Sequence, residues 1–352
     1  MPTARLLQVF GALFLLVLVV GFPPAQGQAS PPPPCGQTQG QSKDQSPSAE
    51  TLKVNVNVVQ LFFNVNDKKG APIPNLSKDE FEILEDGKPQ AIQYFAAESN
   101  LPLALGILID SSASQARVLH MEKQVGGEFL NEILRDKDLA FVLGFDVNVD
   151  LLQDFTNSVS ALKTALNSAR INTEGGGRAI AGLAGGAVSA GALHGTLLYD
   201  AVYLASNDEL SQKVGRKAMI LLTDGEDQGS QLNIQAAIEA AQKSDSMVYV
   251  LLCADRGFYG VGEYSGGNKM KKLTQETGGR VIVVGNKLNK LNDAFNQIAQ
   301  QLRSQYNIGY TSTNTVQDGA FRTVEIRAKD KDKDKDYRIQ ARTGYYAAAK
   351  RD

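Results

Sequence analysis

Two aspartates and three hydroxyl residues, in three distant segments, offer the same kind of ligand atom. The segments are Asp110-Ser-Ser112-Ala-Ser114, Gly195-Thr196 and Thr223-Asp224-Gly-Glu-Asp227. Asp110 follows the apolar run 103–109, and Asp224 comes just after the apolar run 218–222. Both runs have the length and content of buried strands, which places each acid at the carboxyl end of a strand. In an open parallel sheet, ligands bind at that end. Two carboxylates, two serine hydroxyls and one threonine hydroxyl meeting there form an all-oxygen set suited to a hard divalent cation. Their charge is too small to enclose the ion, so an octahedral Mg2+ would keep positions for water or an outside ligand. The plainer alternative is that Asp110 and Asp224 only cap helices.

Other chemistry is harder to assemble. The two histidines, His120 and His194, fit no triad spacing, and no HExxH zinc pattern occurs. His194 stands two residues before Thr196 and is read as lining the rim of the site. The two cysteines, Cys35 and Cys253, give no disulfide framework, and Cys253, after the apolar run 247–252, is read as a small buried side chain. Catalytic residues and an organic cofactor are therefore not expected. The Gly/Ala-rich segment 174–195 lacks the Gly-Lys-Ser/Thr of a phosphate loop and reads as a loop beside the metal. Glu226 and Asp227 either tune the charge of the site or belong to a solvated loop. The Lys/Asp alternation at 329–336 reads as a solvated turn between strands.

The elements that must position these residues alternate. Strands are expected at 103–109, 139–145, 149–155, 218–222, 247–252 and 280–284. Helices are expected at 116–134, 158–169, 196–206, 234–244, 269–277 and 288–303. Strands alternating with helices of this length predict an α/β fold, a doubly wound, mostly parallel sheet covered on both faces. Before it, Val54, Val56 and Val58 alternate with polar residues in a strand running through residue 65. Turn clusters at 66–70 and 72–74, a strand at 81–84, Glu85-Asp-Gly87 and a strand at 91–95 complete a small β unit. Strands at 306–310, 321–328 and 337–345 are expected after the last helix. The two β units, each marginal alone, are predicted to join into one β-sandwich with the α/β domain inserted between them. Two unjoined β pieces are the alternative.

The chain has 352 residues, a formal net charge of -2 and 43% hydrophobic content, with no basic excess to suggest nucleic acid. Arg5 precedes the apolar stretch 6–20, and Ala25-Gln-Gly27 offers small residues for cleavage, so 1–27 reads as a secretory signal. The stretch is shorter than the roughly 20 residues of a membrane span, and no stable span is expected after cleavage; an uncleaved anchor is the alternative. Residues 28–50, rich in Pro, Gln and Ser, read as a disordered spacer. The expected division is then 51–98 and 305–352 for the sandwich and 99–304 for the α/β domain. Export implies a periplasmic, secreted or cell-surface protein.

Asp-x-Ser-x-Ser, a distal Thr and Thr-Asp-Gly resemble the metal-ion-dependent adhesion site (MIDAS) of von Willebrand factor type A (VWFA) domains. The resemblance implies that Asp110, Ser112, Ser114, Thr196 and Asp224 contact the metal, Mg2+ with Mn2+ or Ca2+ as alternatives. Ala113 stands where many members carry Gly. The segment GAPIPNLSKDEFEILEDGKPQAIQYF, the adhesion-site residues and the closing ARTGYY together resemble exported VWFA-related proteins of acidobacterial type, over nearly the whole mature chain. This implies a metal-dependent protein-binding module whose cation receives an Asp or Glu of a protein partner. The alternatives are a structural envelope component with a vestigial metal site, or a metal-assisted hydrolase.

Overall fold

The chain first forms β1 (Val58–Asn66), β2 (Phe81–Glu85), β3 (Lys88–Gln90) and β4 (Ile92–Ala96). The α/β region follows, with β5 (Leu103–Asp110), α1 (Leu119–Ile133), β6 (Leu139–Phe145), β7 (Val149–Thr156), α2 (Val159–Ser168) and α3 (Leu198–Leu204). Next come β8 (Arg216–Thr223), α4 (Ile234–Lys243), β9 (Ser246–Leu252), α5 (Gly266–Thr277), β10 (Val281–Val283) and α6 (Leu288–Arg303). The last strands are β11 (Tyr306–Thr311), β12 (Phe321–Ala328), β13 (Arg338–Ala341) and β14 (Gly344–Tyr346). The computed structural model describes residues 58–68, 70–97, 100–172, 195–254, 266–329 and 337–350, all within one unit, Asn55–Asp352. The leader, the spacer, Cys35, His194, residues 173–194 and 330–336 lie outside the described residues.

The central sheet has the order β10-β9-β8-β5-β6-β7. All its neighbours run parallel except β7, which is antiparallel to β6. Every residue of β5 is buried, because successive side chains enter opposite layers. Leu103, Leu105, Ile107 and Ile109 pack with side chains of α1, α2 and α6. Ala104 and Leu108 pack on the other face with side chains of α3, α4 and α5. Burying each such aliphatic side chain contributes roughly 1.5–3 kcal/mol. A doubly wound, mostly parallel α/β sheet is thus the observed core.

The strands from the two chain ends interleave. One antiparallel sheet has the order β13-β1-β11-β4, the other β14-β12-β2-β3. Val59, Leu61 and Phe63 of β1 meet Phe81 and Ile83 of β2, Tyr306 and Ile308 of β11, and Val324 and Ile326 of β12 in one core. The flanking β-sandwich therefore draws on both ends of the chain. Asp86 (φ 47) and Gly87 (φ 76) turn β2 into β3. Two central residues with positive φ make the tight turn that matches the twist of paired strands.

Four local expectations change. Val58 is 58% exposed while Val59 is buried, so Val58 is not on the face of β1 that meets the core; Val54 and Val56 lie outside the described residues. Adjacent residues point to opposite faces, and the sandwich lies on the Val59 side. The strand expected at 91–95 is β4, separated from β3 at Ala91, where the chain passes from one sheet to the other. The single strand expected at 337–345 is likewise two, β13 and β14, in different sheets. The helix expected from Thr196 begins at Leu198 and continues past Leu204 as a π-helical stretch, Ala205–Leu210.

Candidate metal centre

From β5 the chain passes through α1 to β6 on one side, while β8 lies on the other. The crevice above the carboxyl ends of β5 and β8 is thus the point where the winding reverses, the usual ligand position in such sheets. Asp110 is the last residue of β5, and Asp224 follows Thr223, the last of β8.

Hydrogen bonds join four of the five expected residues. The Ser112 N–H donates to Asp110 Oδ1 at 3.0 Å. The Ser112 and Ser114 hydroxyl oxygens are 3.1 Å apart, and Ser114 Oγ donates to Asp224 Oδ2 at 2.5 Å. Asp224 Oδ1 accepts the Glu226 N–H at 3.1 Å. Ala113 begins a 3-10 turn, Ala113–Gln115, and is not among the positive-φ residues. The turn therefore needs no glycine at this position.

Thr196 reaches the same rim by another route. Its N–H and C=O pair with the C=O and N–H of Gln228, each at 3.0 Å. Leu197 N–H donates to Asp146 O at 2.8 Å. These bridges keep Thr196 extended and delay α3. Among the described residues the Thr196 hydroxyl bonds to neither acid. Close approach at the rim depends on Gly225 (φ 85), where a Cβ would come 2.9 Å from Met270 Cγ, an arrangement that favours glycine on both counts.

The two central acids are almost wholly removed from water, Asp110 at 0% and Asp224 at 2% exposure. Burial, and then the charge of Asp224, raise Asp110 to a pKa of about 7 despite its hydrogen bonds from Ser112 and Thr223. Glu122 on α1 is also fully buried, with no hydrogen-bond partner on either oxygen among the described residues. Burial raises its pKa to about 8, with smaller contributions from Asp110 and Asp224. The Cys253 thiol faces Glu122 without meeting hydrogen-bond geometry, and its pKa is pushed well above the ordinary value, chiefly by burial. Cys253 is buried, as expected.

Glu226 and Asp227 act as braces. Glu226 Oε1 accepts the Gly266 N–H at 2.6 Å. Asp227 Oδ1 accepts the Ser230 hydroxyl at 2.5 Å and the Tyr199 N–H at 3.2 Å. His120 is exposed on α1 and lines a groove with Lys123, Lys163 and Arg170.

Two further residues support the cluster, and a third, Glu122, lies buried near it, none having been singled out as a ligand. Thr223 Oγ1 donates to Asp110 Oδ2 at 2.7 Å and accepts the Gly225 N–H at 3.0 Å. Asp146 accepts the Ser111 hydroxyl at 3.1 Å, tying the β6–β7 turn to the first segment. Glu122 had a visible signal, since it lies on the same helical stripe as Leu119, Val125 and Phe129. A carboxylate at a core-facing position marks a buried charge.

No family model and no curated protein matches this chain. Among solved structures, similarity extends to a von Willebrand factor type A protein from Catenulispora acidiphila, with 13% identity, 85% of this chain and 76% of that one covered, and TM-score 0.45. It extends also to the conserved hypothetical protein BatB from Bacteroides thetaiotaomicron, with 18% identity, 57% and 100% covered, and TM-score 0.43. The vWF domain of the type V pili tip protein Mfa5 from Porphyromonas gingivalis aligns at 13% identity over 57% and 95%, with TM-score 0.42.

Proposed function

We propose that the chain is an exported, divalent-metal-dependent protein-binding module whose cation sits at the β5–β8 crevice. The observation that carries this reading is the linked cluster of Asp110, Ser112, Ser114 and Asp224, two buried carboxylates connected through the Ser112 N–H and the two serine hydroxyls. The donor set fits a hard cation: all ligand atoms are oxygens, and the burial and the repulsion from Asp224 that together raise Asp110 are penalties a positive ion relieves. Asp110, Ser112, Ser114 and Asp224 would hold the ion, with Thr196 as the fifth residue at the rim. A bound Mg2+ would supply a Lewis-acidic position for an Asp or Glu carboxylate of a protein partner. The rest of the work belongs to the chain. Thr223 and the Ser112 N–H orient Asp110, Ser114 orients Asp224, and Gly225 allows α5 to pack close behind the site. Nucleophilic catalysis by Cys253 is disfavoured, because its thiol is buried and its pKa is pushed well above the ordinary value.

Titration calorimetry with Mg2+ on the wild type and Asp110→Ala tests the metal step. Heat is expected only from the wild type, and identical heats would end the reading. Partner capture with and without EDTA separates it from a structural role with a vestigial site, for which chelation changes nothing. Among the described residues no helix is long and apolar enough to cross a membrane.

A further inference from the structure

Beside the crevice, at the free edge of the central sheet, lies a groove of about 610 Å³ with a different character. β10 ends the sheet, pairing only with β9 among the described strands. Its ladder uses Arg280 O, which accepts the Val250 N–H, and the Val284 N–H, which donates to Leu252 O. Hydrogen-bonding groups alternate sides along a strand, so those of Val281 and Val283 point away from β9. Val283 is 63% exposed. An unpaired edge of this kind is a template for another strand.

The groove walls state what that strand should be. α5 contributes Lys271, the residue preceding α6 is Lys287, and the first turn of α6 contributes Lys290. All three are exposed, and among the described residues no acid lines the groove. We propose that the edge of β10 receives an extended acidic segment of a protein partner as an added strand. Backbone pairing to Val281 and Val283 supplies affinity, and carboxylates on alternate residues reach the lysines. The site stands apart from the proposed metal centre and does not depend on it. Even so, Leu252 of β9 is paired with both Thr223 and Val283, so a single strand separates the groove from the crevice.

The test is fluorescence anisotropy with a labelled decapeptide alternating Glu and Val, titrated into the full chain with EDTA throughout, so that no metal-centre contact contributes. The wild type should bind, and the combined Lys271→Gln, Lys287→Gln and Lys290→Gln variant should bind on the order of tenfold more weakly, as expected for losing three exposed ion pairs. N-methylating alternate residues, in the register whose N–H groups face β10, should weaken binding comparably. The lysines are exposed, so the variant should keep the wild-type melting temperature. No binding by the wild type overturns the proposal. So does unchanged binding by the variant, by a Gln-for-Glu peptide or by the methylated peptide. Tighter binding of an oligonucleotide at the same lysines would assign the groove to nucleic acid and also overturn it.

Discussion

Carboxylates are buried both in the sandwich and at the crevice, but their surroundings differ. In the sandwich, Glu85 accepts the hydroxyls of Tyr310 at 2.8 Å, Ser312 at 2.5 Å and Tyr345 at 3.0 Å, with the Arg322 guanidinium 3.6 Å away. Arg322 in turn donates to Asn314 O at 2.6 Å and to Val316 O. Charge and hydrogen bonding are complete within the fold. At the crevice, Asp110 faces another acid, and the hydroxyls between them orient the pair without cancelling its charge. A buried acid that brings its own cation holds structure together; two that repel each other call for a cation from outside.

This contrast can be broken at several points. Glu85→Ala should be the most damaging change, because it takes the buried carboxylate from Arg322, itself 3% exposed, and leaves only Asp318, 3.8 Å away and half exposed. A loss of about 3–5 kcal/mol is expected, read from the urea midpoint. At the crevice, Mg2+ at a hundredfold excess over its Kd should stabilise the wild type by about 2.7 kcal/mol and Asp110→Ala not at all, read by thermal unfolding in metal and in EDTA.

The pH dependence should also differ. Asp110, raised from 3.8 to about 7, and Glu122, raised from 4.5 to about 8, keep their protons in the folded state after the unfolded chain has released them. The folded state then binds more protons, so metal-free stability should fall as pH rises from about 4 to 8, by up to about 1.4 kcal/mol per pH unit for each group. Glu122→Gln should remove one group's share of that slope, and a slope identical to wild type would refute the assignment. Tyr345→Phe should have the smallest effect, about 1 kcal/mol, since Glu85 retains its other donors; equilibrium denaturation measures it.

What the sequence conveyed follows from the range over which each signal acts. The runs 103–109 and 218–222 were legible as strands because burial on both faces needs only apolar residues in a row. Asp86-Gly87 was legible because φ is a local matter. The corners at Ala91 and at Arg342-Thr343 were not legible, since which sheet a strand joins depends on partners from the other end of the chain. The pairing of Thr196 with Gln228 was hidden for the same reason. Glu122 was overlooked because amphipathic helices are read by their apolar positions, and one acid on the stripe leaves the pattern intact.

The placement of β1 bears on how this body resists being pulled. β1 lies between β11 and β13 and runs antiparallel to both. Tension on the chain at Val58, directed along the strand, loads both flanking ladders in shear at once instead of unzipping one rung after another. Under such a pull the first described strand of the sandwich would act as its mechanical clamp.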